Sequence, residues 1–202
     1  MRLLLPLCVF PSVHWYACIA QHHEAYIDLG EHYVKQSMRN RYEIAGASGR
    51  MWLTIPVEGT QGLRKSMSEI QIFGQVWGRQ HFRTIRAAYG RSPFFEHYAD
   101  DLNALLINGE TSLAAFSLRV LRWLSDEFLL PLPVVLSAYQ ESWHGADLRP
   151  AFKHSAAYTY PEYVQVFQQR YGFLSNLSVL DVVMNEGPST SAYLREAGAQ
   201  RS

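Results

Sequence analysis

Residues 35–44 read KQSMRNRYEI. Lys35, Arg39 and Arg41 concentrate positive charge there, with Asn40 between the two arginines. Arginine presents a planar fork that suits phosphate or carboxylate, lysine presents a point charge, and asparagine adds a donor and an acceptor. This stretch is therefore a candidate anion site. The competing reading is a solvated basic loop, because charge runs usually face water. A second candidate is His81, between Trp77 and Ile85 on an apolar helical stripe. An imidazole there is either a hydrogen-bonded core residue or a general acid/base. Tyr89 lies two turns further on and can share that face.

Acidic and amide groups complete the set. Asp28 ends an apolar run just before the basic stretch, where a carboxylate can orient an arginine or accept a ligand hydroxyl. Asp181 and Asn185 are four apart on one helical face, with Leu177, Leu180 and Met184 on the buried side. They read either as a polar pair reaching a ligand or, through Ser178 and Asp181, as a helix start. Gln165 in YVQVF is a polar edge or a ligand contact. Asp147 and Arg149 face the same way if extended and form a local ion pair by default. The cluster HHEAYIDLGEH, residues 22–32, matches no metal-ligand template, so no metal site is assigned. GxSxG, GxxxxGK[ST] and GxGxxG are absent, which removes the usual serine-hydrolase, Walker and dinucleotide fingerprints. No cofactor is named by any motif.

These residues need elements to hold them. RLLLPLCVF (2–10) reads as a buried strand ended by Pro11, residues 12–21 as a helix capped by Ser12, and AYIDL (25–29) as a second strand. Strand, helix, strand in so short a span predicts a parallel pair with a crossover. GASG between two β-rich runs predicts a hairpin over 42–57, and the glycine-bearing segment after it a mobile loop with Arg64 and Lys65. EIQIF (69–73) reads as a strand. Three helices follow, from Trp77 to Gly90, over 92–107 with Ser92 as cap and Pro93 in the first turn, and from Leu113 to Phe128. Residues 133–139 read as strand, 163–173 fit neither period, 178–186 form a short helix, and the tail from about residue 189 looks frayed. The expected fold is α/β, a mainly parallel sheet with a β-hairpin insertion and a helical C-terminal half, in a single domain over residues 1–202.

Composition narrows the class. The chain has 202 residues, 18 basic and 18 acidic, which argues against bulk nucleic-acid binding because that needs a basic surface. Aromatic residues at 13% and charged residues at 18% describe a globular protein. No stretch approaches the ~20 apolar residues of a membrane span. MRLLLPLCVF has the outline of a weak signal peptide, but Pro6 interrupts it and no clean small-x-small site follows, so the expected localisation is cytoplasmic. Cys8 and Cys18 make no CxxC pair and are expected to be reduced.

Several blocks together resemble the WbqC-like protein family. DLGEHYVKQSMRNRYEI, LTIPV, Trp77 with His81 four residues on, AYGRSPFF, YVQVF and NLSVLDVVMNEG occur in family order and spacing, over about residues 3 to 187. The opening LPLCVFPS departs from the pattern, which carries Gln and aromatic residues before the first proline. The resemblance implies an enzyme of surface-polysaccharide, O-antigen-type biosynthesis that transfers an acyl, aminoacyl or related group to a sugar intermediate. Its partner would be a small anionic or sugar-like substrate. Through K-x-S-x-x-N-R the resemblance turns Lys35, Asn40 and Arg41 toward ligand binding and leaves Arg39 outside, nearer solvent. It keeps His81 and Asp28 as catalytic candidates, and Tyr89, Gln165, Asp181 and Asn185 as substrate contacts. Lys35, Asn40, Arg41 and His81 are then expected to converge on one pocket. A nucleotidyl-transfer enzyme, suggested by strand, Pro-Ser-x-His, helix and basic loop, and a non-catalytic binding or scaffold protein are the alternatives.

Overall fold

The computed structural model describes residues 2–59, 64–153 and 158–199. Strand β1 (Arg2–Leu5) is the centre of a parallel sheet, because Leu3, Leu4 and Leu5 are apolar on both faces and wholly buried. It is shorter than its apolar run. Pro6 has no N–H to donate to a neighbouring strand, so pairing stops at Leu5. Helix α1 (Val13–Ala20) crosses over to β2 (Glu24–Asp28), which pairs in parallel with β1 from Arg2↔Glu24 to Leu5↔Ile27. Two later strands, β5 (Val134–Leu136) and β6 (Ala146–Asp147), complete the order β5-β2-β1-β6. The hairpin is a separate two-stranded sheet of β3 (Arg41–Gly46) and β4 (Gly49–Thr54), with Arg41 opposite Thr54. Gly49, at φ +94°, supplies the left-handed backbone that its turn requires.

The helical half begins with α2 (Val76–Tyr89), α3 (Phe95–Leu106) and α4 (Leu113–Phe128). Ser112 caps α4 by accepting a hydrogen bond from the Ala115 N–H at 3.2 Å. Helix α3 starts two residues later than expected, at Phe95 in place of Pro93, because the Ser92 hydroxyl turns back to the Tyr89 carbonyl at 2.7 Å and closes α2 instead. Strand β5 is only Val134–Leu136, on β2, and β6 is the dipeptide Ala146–Asp147, on β1. EIQIF is not a strand. A 3₁₀ turn at Met67–Glu69 precedes it, and only single bridges hold Ile72 to Val57 and Gln71 to Ser112. Part of the expected mobile loop, residues 60–63, lies outside the described residues. Its far side is tied down by Tyr33 N–H to the Lys65 carbonyl at 2.9 Å and Met67 N–H to the Glu31 carbonyl at 2.8 Å.

The C-terminal region holds α5 (Gln168–Tyr171), α6 (Val179–Glu186) and α7 (Thr190–Ala199). The tail up to Ala199 is not frayed. Helix α7 buries Tyr193, Leu194 and Ala197 and packs along α1, close enough that Gly198 faces the Ala20 methyl with no room for a side chain of its own. The chain is thus α/β: a parallel four-stranded sheet, an antiparallel hairpin and helices gathered toward the C-terminal half.

Candidate functional site

The carboxyl ends of parallel strands are where open α/β sheets build ligand crevices. Here that edge carries a charged network. Asp28, the last residue of β2, is fully buried. Its Oδ1 accepts from the Gly30 N–H at 2.8 Å, and its Oδ2 accepts from the Gln140 N–H at 3.0 Å and from Arg149 Nη1 at 2.6 Å. Gly30 is required there because a Cβ would meet the Tyr139 nitrogen at 2.1 Å. Arg149 also forks onto Asp147, with Nε to Oδ1 at 3.0 Å and Nη2 to Oδ2 at 2.6 Å. Asp28 therefore holds an arginine, one of the two roles its position suggested, and the expected Asp147–Arg149 pair forms.

The largest departure from expectation is Arg39. It is 2% exposed and clamps Glu31, with Nε to Oε1 at 2.9 Å and Nη2 to Oε2 at 2.5 Å. A third contact, Nη2 to the Arg149 carbonyl at 3.3 Å, links this pair to the Asp28 cluster. Burial pushes the Glu31 carboxyl up and Arg39 draws it back down. Arg39 Nη1 is buried without a partner. Sequence spacing missed this pair, since Glu31 read as part of a histidine-rich run. The usable signal was a carboxylate just past a strand end with a cation eight residues on.

The rest of the basic loop divides. Lys35 is exposed. Asn40 is buried, with Nδ2 donating to the Ile55 carbonyl at 2.9 Å and Oδ1 without a partner. Arg41 is half-buried at the start of β3 and has no ion pair among the described residues. It lies close enough to Tyr33 to oppose the burial that lifts that phenol to about 12. His81 reaches the same hairpin base. Its Nε2 lies 3.2 Å from the Thr54 carbonyl and must donate to it, so Nδ1 accepts from the Tyr42 hydroxyl at 2.9 Å. Both nitrogens are engaged and burial lowers its pKa to about 4, so it is a neutral, partnered imidazole at pH 7. Asn40 and His81 thus bond the neighbouring Ile55 and Thr54 carbonyls, and Arg41 pairs across the hairpin with Thr54 but lies on the strand face opposite Tyr42 and His81, while Lys35 stands out on the surface.

Tyr89, Gln165, Asp181 and Asn185 form a second cluster. Asp181 is fully buried on α6 and accepts from the Tyr89 hydroxyl at 2.8 Å, the Tyr163 hydroxyl at 2.5 Å and Gln165 Nε2 at 2.7 Å. Desolvation raises its pKa, and those three donors oppose the rise. Asn185 Nδ2 donates to the Asp181 carbonyl at 2.7 Å. Ser178 caps α6 through the Leu180 N–H, but the Asp181 side chain turns inward, so it is no capping acid.

The Cys8 thiol is not a poised nucleophile. Burial pushes the Cys8 thiol up to about 12. Cys18 Sγ lies 3.8 and 3.6 Å from the two ring nitrogens of His14, nearly equidistant, which sets the sulfur over the ring and not in line with one lone pair. Neither Cys8 nor Cys18 is in a disulfide among the described residues. Among the described residues no group of three or more His, Cys, Asp or Glu is placed to hold a metal ion. The first turn of α1 is also closed to an anion. Val13 N–H binds the Leu177 carbonyl at 3.0 Å and His14 N–H binds Asn176 Oδ1 at 2.9 Å.

An α/β protein with a buried arginine–carboxylate network along its sheet edge is the class these features define. The chain belongs to the WbqC-like protein family, whose model matches residues 8–153. That span includes Asp28, Lys35, Asn40, Arg41, His81 and Tyr89 but ends before Gln165, Asp181 and Asn185. A Mycobacterium tuberculosis relative, described as uncharacterized protein Rv1507c, is 29% identical over 90 residues, covering 44% of this chain and 39% of that protein. The matched stretch thus spans about two fifths of the curated relative. No solved structure gives a significant match. No helix among the described residues is long and apolar enough to cross a membrane.

Proposed function

We propose that this protein is a cytoplasmic enzyme of surface-polysaccharide biosynthesis that binds an anionic, sugar-like substrate at its basic loop and transfers an acyl or aminoacyl group to it. The family resemblance supplies the pathway and reaction class. The observation that carries the binding site is Arg41, a half-buried cation without an ion pair among the described residues. A guanidinium held half out of water with no carboxylate is costly unless an anion completes it. In this reading Arg41 meets the anion, and Asn40 holds the start of the hairpin beneath it through the Ile55 carbonyl. Lys35 adds longer-range attraction, and Asp28 acts as a positioning residue through Arg149.

The neutral, fully hydrogen-bonded His81 favours the second reading, a non-catalytic binding protein for the same ligand class, because a binding site needs no titrating group. The nucleotidyl-transfer alternative has less support, since the N–H groups at the start of α1 already have protein partners.

Thermal-shift screening with sugar phosphates, nucleotide sugars and acyl thioesters tests the reading, because a ligand that binds the folded state raises Tm. Arg41→Ala should weaken the ligand found in this screen by ten- to a hundredfold, the ~1.5–3 kcal/mol of a charge-assisted contact, with Tm nearly unchanged. Arg41→Lys should recover part of it. Unchanged affinity in Arg41→Ala removes the basic loop from the site. Product formation from a bound acyl donor separates the enzyme from the binding protein.

A further inference from the structure

A cavity of about 900 Å³ lies between the C-terminal end of α2, the turn at Gly90–Pro93 and the segment 164–169. That is the size of a small-molecule site. Arg86 and Arg91 both border it, both are exposed, and neither has an ion pair among the described residues. Among the described residues no Asp or Glu borders it; two acids stand behind the wall, Glu162, which accepts from Gln168 Nε2 at 3.4 Å, and the fully buried Asp181, which accepts from Gln165 Nε2 at 2.7 Å. In a chain with no net charge, this groove is a local excess of two cations. Arg86 sits in the last turn of α2, where a cation gains from the helix dipole. That accounts for one arginine and not for the presence of Arg91 on the same cavity.

The floor is pre-set to receive hydroxyl groups. Asn185 donates Nδ2 to the Asp181 carbonyl, so its amide cannot be turned the other way, and Oδ1 is left as an acceptor at the cavity. Gln165 is fixed on both ends, with Nε2 on Asp181 and Oε1 accepting from the Leu174 N–H at 2.8 Å. It forms a fixed part of the wall and ties the segment 164–169 to Asp181 on α6. Exposed Val164 and the Pro93 ring give the groove apolar flanks against which the carbon face of a sugar ring can lie.

We propose that this groove is a second binding site, for a small polyhydroxylated anion, a sugar phosphate or a sugar acid, with Arg86 and Arg91 on the anionic group and Asn185 Oδ1 on a hydroxyl. The site is distinct from the basic loop. Five residues at ~100° each turn Arg86 about 140° round α2 from His81, which faces the hairpin. It does not depend on the transfer reaction.

Isothermal titration of the full chain with glucose 1-phosphate, glucuronate, glucose and inorganic phosphate tests it. At least one of the two sugar anions should bind saturably, and about tenfold or more tighter than glucose or inorganic phosphate. Which one binds identifies the anionic group. An Arg86→Ala/Arg91→Ala variant should lose about tenfold or more while keeping its Tm. Asn185→Ala, with its fold checked by circular dichroism, should bind the sugar anion no better than inorganic phosphate. The titrations are repeated in an Arg41→Ala chain, which removes the basic-loop site: saturable sugar-anion binding that persists there, and is lost when Arg86→Ala and Arg91→Ala are added, belongs to this groove, and its disappearance in Arg41→Ala alone assigns the binding to the basic loop and overturns the proposal. Absence of saturable binding by both sugar anions, or undiminished affinity in the double arginine variant, overturns the proposal.

Discussion

His81 is held neutral by its surroundings: burial disfavours the imidazolium, and the hydrogen bond to the Thr54 carbonyl only partly offsets this. Its folded pKa of about 4 lies below the unfolded value of 6.5. The stability this contributes is present above pH 6.5 and is lost as pH falls through about 4. The difference corresponds to roughly 3 kcal/mol. Urea unfolding midpoints should therefore fall between pH 7 and pH 4.5. His81→Phe should flatten that dependence while lowering stability at pH 7 by ~1–3 kcal/mol, because Tyr42 and Thr54 each lose a buried partner. An equally steep profile in His81→Phe would assign the acid sensitivity to other groups. Arg39 makes the complementary case. Arg39→Ala leaves Glu31 buried without its cation and should cost about 3–5 kcal/mol, whereas Arg39→Met combined with Glu31→Leu should cost much less. If the double variant is as unstable as the single one, the pair is holding the basic loop in place beyond its own electrostatics.

Elements with a strong period were legible in the sequence. The GASG hairpin, α2 and α4 all formed near their expected bounds, because each carries a continuous apolar face or a turn chemistry that only one backbone satisfies. Elements set by partners were not. Strand β6 is two residues long and exists only because β1 has an open edge. EIQIF has strand composition but meets single bridges in place of a neighbouring strand. Helix α7 hides its packing in small residues: Ala197 and Gly198 let its backbone approach Ala20, which no hydrophobic stripe announces. The candidate residues behaved alike. Asp181, Asn185, Gln165 and Tyr89 meet although they come from three separate stretches of chain, while the Arg39–Glu31 clamp depends on the geometry of the β2 exit, of which the sequence carries only the carboxylate past the strand end and the cation eight residues on. Packing of α7 on α1 predicts that Leu194→Ala destabilises by ~2–5 kcal/mol in urea denaturation, as for any buried leucine. A change within ~0.5 kcal/mol, the range of surface substitutions, would mean that α7 is only loosely docked in solution.

At the scale of the whole molecule, the question is whether the sheet edge opens without the fold coming apart. Cys8 can report on this. It lies in the loop after β1, is wholly buried, and is near enough to Arg39 and Glu31 to feel both charges. Its thiol, pushed up to about 12, is almost entirely protonated at pH 8, and the thiolate is the form that alkylates. In a Cys18→Ser background, Cys8 should resist iodoacetamide in native buffer and become reactive along the same denaturant curve as the loss of helix by circular dichroism. Coincident midpoints would mean that the carboxyl edge, with its linked arginine–carboxylate pairs, unfolds only with the rest of the core. Labelling well before the helical transition would instead show local opening at that edge. Repeating the measurement with Glu31→Gln then distinguishes the causes: faster native-state labelling makes the Arg39–Glu31 clamp the gate, and unchanged labelling places the opening elsewhere in the 6–12 loop.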